Sequence, residues 1–535
     1  TNLWVAIRDC NIFLENINKP LDLQNYERTR WIAEVKFLKA YYHYYLFMLY
    51  GPIPIMDTNI AVDASQNEVR RYREPVDDVV AYISNLLDEA YKDLPSKITD
   101  PGQEMGRITQ PIAKAVKAQL LLLAASPLFN GNSDYINVKD NQGRHLFPTQ
   151  VDNSKWKLAA DAALEAINCA KENGHEKLYT FSLPINSISA ATRKLLDIGE
   201  AVTEKWNEEI IWGSTRNVNG LQTAAMAKHT KGNNYNARSV LGPTLSVAEA
   251  FYSSNGVPIS EDNSDFWTAN YPNRYEITTI PDEGNNKYYL QIGEQTAYLH
   301  LNREPRFYSW IGFHNGNYEI ARYNAAALPL NKSYVPGGLR MLFNGAHGFK
   351  KDMTVHYSVT GYLNKKFTHP GFTNTIIKYP FPTFRLAELY LNYAEALIEI
   401  GGSNNLKIAK KYMDKVRKRA GIPGVDESIQ KYANDEWKGK ENEQETLRQF
   451  VRQERQIEFY LEGQRFWDLR RWKIAEKLDE PFLCWNIEGA SVEEFFKAPQ
   501  PNMTLTNHFY KSQYLLPISA SELEKTPQII QNPFY

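Results

Sequence analysis

The stretch that most constrains this chain is residues 446–473, TLRQFVRQERQIEFYLEGQRFWDLRRWK, which is dense in both charge and aromatic rings. Its apolar residues recur at helical spacing, and Glu454 interrupts the apolar face with Glu458 beside it. A carboxylate that is buried without a partner costs roughly 3–5 kcal/mol. Gly463 can end the helix, and a second short amphipathic segment follows it. The sequence therefore predicts a helix, a break and a helix, held together by a buried network of arginine and glutamate.

Paired carboxylates beside arginines can also perform acid–base chemistry. A glycoside hydrolase needs two carboxylates roughly 5–10 Å apart in a cleft, and Glu454 with Glu458 is the pair to consider. Because structural ion networks perturb carboxylates as well, these residue types favour a structural role. The sequence contains no HExxH, GxSxG, P-loop or GxGxxG motif. We therefore predict no catalytic residue, no cofactor and no metal site.

Composition excludes several classes of protein. The 535 residues carry a formal net charge of −1, which gives no general electrostatic reason to bind nucleic acid. The three cysteines are too far apart in sequence for a dense disulfide framework. Ten histidines are present, and His300, His314 and His347 lack metal-ligand spacing, so each is interpreted as a surface or structural residue. No apolar run approaches the roughly 20 residues of a membrane span.

Helical periodicity at both ends of the chain predicts a mainly α fold. Ile83, Ala90 and Pro95 have the spacing of a tetratricopeptide repeat, which favours divergent helical-hairpin repeats. The segment 425–444 is charged and is predicted to be a surface loop. The predicted helices cover residues 3–18, 26–50, 75–94, 110–125, 155–172, 384–400, 405–420, 445–462 and 464–477.

The middle of the chain has a different composition, rich in Gly, Asn, Pro and Tyr. Because so long a segment cannot be one loop of a compact domain, we expect a loop-rich ligand-binding lobe over 179–382. Residues 1–178 and 383–535 would then be two parts of one helical frame. Within the lobe, the pattern predicts a helix over 244–252 and strands over 209–213, 306–313 and 318–324.

Aromatic residues in polar loops of this lobe are the candidate ligand-binding residues. Rings in such loops can stack on the apolar faces of sugars, while neighbouring Asn and Arg bind hydroxyl groups. The alternative is that these rings pack inside the lobe. Trp310 lies in a strand-like run and is predicted to be a core residue. The candidates are Trp267, Tyr271, Tyr275, Tyr288 and Tyr289.

The segment ERQIEFYLEGQRFWDLRRW resembles the C-terminal signature of the SusD/RagB family, the surface nutrient-binding lipoproteins of Bacteroidetes. Further blocks match in the family's order and reach both ends of the chain, among them AIRDCNIFLENI, SPLFNGN and YLLPISASELEKTPQIIQNPFY. The middle of the chain matches only weakly. The signature residues that we assign a structural role are Glu454, Arg455, Glu458, Glu462, Arg465, Trp467, Asp468 and Arg470.

The resemblance implies a SusD-like fold of four helical-hairpin repeats and a function without catalysis. Family members bind a nutrient glycan, less often a peptide, and deliver it to a SusC-like TonB-dependent transporter. They lie on the extracellular face of the outer membrane, anchored through a lipidated cysteine. Since the chain begins at Thr1 within a helical pattern, we expect this anchor on a preceding segment. The alternatives are a peptide-binding member of the family, a glycoside hydrolase on a helical scaffold, and a tetratricopeptide-type adaptor that binds only protein.

Overall fold

The computed structural model describes residues 2–182, 188–216, 218–227, 237–318, 338–352, 355–370, 376–501 and 507–535. The fold is mainly α-helical, which confirms the predicted class. Among the described residues, no helix combines the length and the apolar composition needed to span a membrane. The helices are α1 (Asn2–Asn16), α2 (Asn25–Tyr50), α3 (Gln66–Val69), α4 (Val76–Asp93), α5 (Gln110–Ala125), α6 (Ser154–Glu172), α7 (Ala190–Gly199), α8 (Asn219–Ala225), α9 (Leu245–Ala250), α10 (Asp265–Asn270), α11 (Asn286–Tyr289), α12 (Pro305–Trp310), α13 (Leu386–Ile400), α14 (Ser403–Ala420), α15 (Val425–Tyr432), α16 (Gln444–Glu458), α17 (Gln464–Arg471), α18 (Val492–Phe495) and α19 (Ala520–Lys525).

The strands are short and pair only two at a time in the part of the chain that the structure describes. The pairs β1–β6, β2–β3, β4–β5 and β7–β8 are all antiparallel. The pairing of β1 with β6 joins the middle of the chain to the start of α13. The strands are β1 (Ile210–Ser214), β2 (Ile277–Thr279), β3 (Gln295–Ala297), β4 (Ile311–Gly312), β5 (Leu363–Asn364), β6 (Phe381–Arg385), β7 (Leu483–Cys484) and β8 (Gln500–Pro501).

The long helices form a continuous stack in which each packs on the next. The order is α1, α2, α4, α5, α6, α13 and α14, with α16 packed on both α13 and α14. Small side chains on α6, including Ala163 and Ala166, are buried and let α5 and α13 approach closely. Helix α13 lies at the centre, since every residue from Leu386 to Ile398 is buried. The chain thus leaves the stack after α6 and returns to it at α13.

One hydrophobic core serves the frame and the middle segment together. The same cluster of buried side chains contains Phe37 of α2, Trp310 of α12 and Leu391 of α13. Trp310 is fully buried, as predicted, although it ends a helix rather than lying in a strand. The loop-rich segment is therefore packed onto the helices and shares their interior.

The structure differs from the sequence-based expectation in several elements. Residues 306–313 were expected to form a strand, but α12 is followed there by the two-residue β4. Pro305 at the first helical position favours this helix. The segment expected to be a loop after residue 424 begins with α15, whose Val425, Ser428 and Ile429 are buried at helical spacing. The strand expected over 318–324 lies outside the described residues except for Tyr318, which is in no strand.

The two final predicted helices are shorter than expected. Helix α16 ends at Glu458 and α17 at Arg471, where the predictions extended to residues 462 and 477. Between them the backbone is left-handed at Leu461 (φ 60°) and at Gly463 (φ 85°). The predicted helix–break–helix is confirmed, with a break that is wider than one glycine.

Candidate functional site

The predicted carboxylate Glu454 lies at the centre of a buried ion network. Its side chain is fully buried and accepts hydrogen bonds from Arg306 Nη1 at 2.7 Å and Arg417 Nη1 at 3.0 Å. These guanidinium groups come from α12 and α14. Arg417 also donates to the backbone oxygen of Gly256 at 2.8 Å, so the loop-rich segment is held in the same network.

Glu458, one turn further along α16, is also fully buried. It accepts hydrogen bonds from Arg306 at 3.1 Å, from Arg385 at 3.2 Å and from Arg419. Burial alone would raise the pKa of Glu458, but the surrounding guanidinium groups outweigh it and hold the pKa at about 2. The carboxylate is therefore ionised and saturated with donors at neutral pH.

Glu462 extends the network across the break that follows α16. Lys366 Nζ donates to Glu462 Oε1 at 2.7 Å, and Arg385 Nη2 donates to the same oxygen at 2.6 Å. Arg385 also pairs with the buried Glu209, the residue before β1. Burial lowers the pKa of Lys366 to about 8 despite this pairing. The break thus places a third carboxylate against cations from the middle of the chain.

A second buried network joins α16, α17 and α13. Arg455 Nε lies 3.0 Å from Asp468 Oδ2, and Arg471 Nη2 lies 2.8 Å from Asp468 Oδ1. Arg471 Nη1 also donates to Glu395 Oε1 at 2.5 Å, and the indole of Trp472 donates to the same oxygen at 2.6 Å. These contacts hold α16 and α17 against α13 at the centre of the stack.

The remaining signature residues do not join these networks. Among the described residues, neither Arg465 nor Arg470 forms an ion pair with a carboxylate. Arg470 instead lies 3.4 Å from the ring centroid of Phe466 and donates to the backbone oxygen of Gln513 at 3.1 Å. Trp467 is half-buried and meets Phe466 edge to face at 4.9 Å. The cations that neutralise Glu454 and Glu458 thus come from distant segments, not from the arginines nearest in sequence.

These contacts bear on the hydrolase alternative. Glu454 and Glu458 are fully buried and bonded to arginines. A glycosidase acid must reach a glycosidic oxygen in an open cleft, and these two carboxylates face protein on all sides. The described residues also contain no group of three or more His, Cys, Asp or Glu placed to hold a metal. The network is therefore part of the frame.

Two of the predicted ligand-binding rings are buried. Trp267 is 1% exposed and Tyr289 is 8% exposed. Tyr289 stacks on Tyr308 with ring centroids 4.3 Å apart, so a face of its ring is already covered. In this conformation neither ring can stack on a ligand from solvent, and for these two the packing alternative accounts for the aromatic character of the loop.

The other three predicted rings are half-buried, and two of them hold an arginine between them. The guanidinium of Arg274 lies 4.5 Å from the ring centroid of Tyr271 and 4.3 Å from that of Tyr275. The hydroxyl of Tyr275 donates to Glu249 at 2.7 Å. Tyr288 lies farther along, with Lys287 Nζ 5.4 Å from its centroid. One face of Tyr271 and one of Tyr275 are thus occupied by a neighbouring side chain.

A groove of about 510 Å³ lies in the same loop-rich segment and is lined by other residues. Its polar lining includes Glu294, Asn315 and Arg340, and Phe343 contributes a half-buried ring. Arg340 Nη1 donates to Asn315 Oδ1 at 2.7 Å, and Arg340 Nη2 donates to Glu294 Oε1 at 3.3 Å. The three side chains hold one another in fixed positions at the edge of the groove.

Backbone hydrogen bonds make the walls of this groove rigid. Asn315 N donates to Leu339 O at 2.8 Å, and Leu339 N donates to Gly316 O at 3.0 Å. Phe343 N donates to Gly489 O at 2.8 Å, so the C-terminal part of the chain supports the ring. A preorganised set of donors and acceptors beside a ring is suited to a ligand rich in hydroxyl groups.

Two of the histidines named in the sequence analysis hold the backbone around Arg340 in place. His347 Nδ1 accepts from the backbone amide of Arg340 at 2.9 Å, and His314 Nδ1 accepts from that of Met341 at 3.1 Å. Burial lowers the pKa of His314 to about 4, so its ring is neutral at neutral pH and Nδ1 can accept the hydrogen bond from Met341. The sequence signal that could have identified this groove is the run GGLRMLFNGAHG, where Arg340, Phe343 and Asn344 lie between two groups of glycines.

Comparisons with known proteins support the family resemblance of the C-terminal signature. A profile of the SusD family matches residues 208–535, and a second profile, described as starch-binding associating with outer membrane, matches residues 1–122. The starch-binding protein SusD of Bacteroides thetaiotaomicron is 24% identical over 530 residues, which cover 95% of this chain and 77% of that protein.

Solved structures show the same fold. The protein BT4246 superposes with a TM-score of 0.81 at 30% identity, covering 100% of this chain and 89% of its own. A SusD-like protein of Bacteroides fragilis, BF3747, superposes with a TM-score of 0.67 at 20% identity, covering 100% of this chain and 85% of its own. The family profile alone spans more than half of the sequence, from the segment before β1 to the last residue. This chain belongs to the SusD family.

Proposed function

We propose that this protein binds a nutrient glycan, without turning it over, on the extracellular face of the outer membrane. Family membership and the starch-binding relative support a carbohydrate ligand. The observation that carries the proposal here is the preorganised groove of Glu294, Asn315, Arg340 and Phe343. The specific glycan is chosen by the side chains of this groove.

The chemistry of the groove fits a sugar. Hydroxyl groups both donate and accept, and the groove offers a guanidinium donor from Arg340 and carboxylate and amide acceptors from Glu294 and Asn315. The C–H face of a pyranose can lie against the ring of Phe343. Because the polar groups are already fixed by mutual hydrogen bonds, little conformational entropy is lost on binding.

Calorimetric titration with a panel of oligosaccharides, including maltooligosaccharides, tests the site. For the glycan that binds, Arg340→Ala should weaken affinity about tenfold or more, since a charge-assisted hydrogen bond contributes roughly 1.5–3 kcal/mol. Phe343→Ala should also weaken binding. Arg274→Ala, which removes the guanidinium between Tyr271 and Tyr275, is the matched control and should bind normally. If Arg274→Ala abolishes binding and Arg340→Ala does not, the site lies at the tyrosines.

The absence of turnover is tested on the same glycan. The purified protein, incubated with the ligand for many hours, should release no new reducing ends. Glu454→Gln should leave this result unchanged, because its carboxylate is buried in the ion network. Release of reducing ends by the wild-type protein would contradict the proposal.

We further propose that the protein is held to the membrane by a lipid anchor and passes its ligand to a SusC-like TonB-dependent transporter. The family resemblance and the profile described as associating with outer membrane support this assignment. An affinity tag on the native protein should recover a β-barrel transporter from gently solubilised outer membranes. Recovery of the protein from the soluble fraction, without such a transporter, would contradict it.

A further inference from the structure

A second and larger groove, of about 1070 Å³, lies on the helical frame. It runs between α1, the chain segment that follows α2, and the C-terminal segment around Ile518. It shares no lining residue with the groove proposed for the glycan. Its function can therefore be argued, and tested, independently of the glycan proposal.

The walls of this frame groove are apolar and open to solvent. Ile12 is 44% exposed and Val69 is 52% exposed, and both line it together with Trp4, Ile53 and Ile518. Large aliphatic side chains exposed in a concave surface mark a place where another apolar surface is bound.

The floor of the frame groove contains a buried cation that has no carboxylate partner. Arg73 is 1% exposed, and its guanidinium donates to the backbone oxygens of Pro52 at 2.8 Å, Tyr50 at 3.0 Å and Ile530 at 3.0 Å, and to Asn532 Oδ1 at 2.5 Å. Among the described residues it forms no ion pair. Buried charges in proteins are normally neutralised by an opposite charge, so an anion in the groove would complete this arrangement.

The charges at the rim also favour an anionic occupant. Arg8 and Arg71 line the groove with Arg73, and Glu522 is the one acidic residue among the lining residues. Arg8 and Glu522 each have an opposite charge nearby, since Arg8 Nε lies 4.0 Å from Asp9 Oδ1 and Glu522 lies 3.6 Å from Lys525 Nζ. Arg71 and Arg73 form no ion pair among the described residues. The lining is therefore positive overall, in a chain whose formal net charge is −1.

Polar lining groups distinguish a peptide from an acyl chain. Asn59, Ser519 and Thr526 lie among the apolar residues of the groove. Asn59 Nδ2 donates to Glu15 at 3.0 Å, and the hydroxyls of Ser519 and Ser521 are 3.2 Å apart. The Asn59 amide oxygen and the Ser519 and Thr526 hydroxyl oxygens can still accept from amide N–H groups along a polypeptide. An acyl chain would cover these acceptor oxygens and offer them no donor, which costs free energy. We propose that the frame groove docks an extended polypeptide segment that carries apolar side chains and at least one carboxylate.

The probe for this proposal is a displayed library of random dodecapeptides, selected on the full-length protein. Selected peptides should combine apolar residues with Asp or Glu. A synthetic copy of the most enriched peptide, labelled with a fluorophore, should bind the wild-type protein in a polarisation assay. Its Glu→Gln or Asp→Asn counterpart should bind about tenfold more weakly, as expected for one lost charge contact.

Two pairs of surface variants locate the peptide. Arg71→Glu should weaken binding about tenfold, while Arg70→Glu, next to it but outside the lining, should not. Val69→Asp should weaken binding at least as much, while Val62→Asp, at a fully exposed valine outside the lining, should not. None of these residues is buried in the core, so each variant is expected to fold, which circular dichroism checks.

Three results would overturn the proposal. The first is a library that yields no peptide able to bind the free protein. The second is an enriched set without acidic residues whose binding is insensitive to Arg71→Glu. The third is equal binding by Val69→Asp and Val62→Asp, which would place the peptide elsewhere on the surface.

Discussion

Glu458 shows how a single residue acts within the buried network. Replacing it with Gln would leave the guanidinium groups of Arg306, Arg385 and Arg419 facing a neutral amide in a dry interior. Losing one member of a buried ion network costs about 3–5 kcal/mol. We therefore expect Glu458→Gln to lower the free energy of unfolding by that amount in urea denaturation monitored by circular dichroism.

The control for this variant is Glu445→Gln on the same helix. The side chain of Glu445 is 63% exposed and forms an ion pair with Arg448 at the helix surface. A surface pair contributes little, so the unfolding free energy should change by less than about 1 kcal/mol. Equal effects of the two substitutions would show that the buried network does not stabilise the frame.

Glu200 differs from Glu458 because its buried carboxyl forms no ion pair with a cation among the described residues. Burial raises the pKa of Glu200 to about 8, with Glu204 and Asp197 adding to the shift. Its folded pKa lies above the ordinary value of 4.5, so its contribution to stability is fully present below pH 4.5. That contribution is lost as the pH rises towards 8, at about 1.4 kcal/mol per pH unit.

Glu200→Gln mimics the protonated form and should remove this part of the pH dependence. The variant should match the wild-type protein at pH 4.5 and be more stable by at least about 2 kcal/mol at pH 8. Urea titrations at both pH values measure the difference. Glu176→Gln, at an exposed carboxyl, should follow the wild-type profile, and a parallel profile for Glu200→Gln would refute the prediction.

At the scale of elements, the break between α16 and α17 sets the position of Glu462. Gly463 has φ 85°, and a Cβ placed on it would meet no atom within 4 Å. A substitution there is therefore opposed by backbone conformation alone. We expect Gly463→Ala to destabilise the protein by about 1 kcal/mol, measured as a lower Tm in calorimetry.

A second glycine provides the matched control for that variant. Gly220 lies in α8 with equally open space around its Cβ position and without a positive φ. Gly220→Ala should be neutral or stabilise the protein by up to about 1 kcal/mol, because alanine is the better helix former. A loss of stability at both positions would argue against left-handed strain as the cause.

At the scale of the whole molecule, the middle segment and the frame share one core and one ion network. Arg306 of α12 donates a hydrogen bond to Glu454 of α16, and the two residues are 148 positions apart in the sequence. Hydrogen exchange in increasing urea should therefore give amides of α12 and α16 the same opening free energy. Exchange of α12 at a clearly lower free energy would mean that the loop-rich segment opens independently of the frame.

The sequence by itself determined the local elements and the family. Helix α5 begins and ends at the residues that its pattern predicted, and α2, α4 and α6 differ by a residue or two. Helical periodicity is a property of neighbouring residues, so it can be read without the tertiary structure. The anomalous Glu454 on an apolar face likewise predicted a buried ion network, which the structure confirms.

Only the tertiary structure decided which residues meet. The partners of Glu454 and Glu458 come from α12, β6 and α14, because burial brings together charges that lie far apart in the chain. For the same reason Trp267 is in the core, while Arg340, which the sequence did not single out, lies at the edge of the groove. Residue type states what a side chain can do, and packing decides what it faces and whether solvent reaches it.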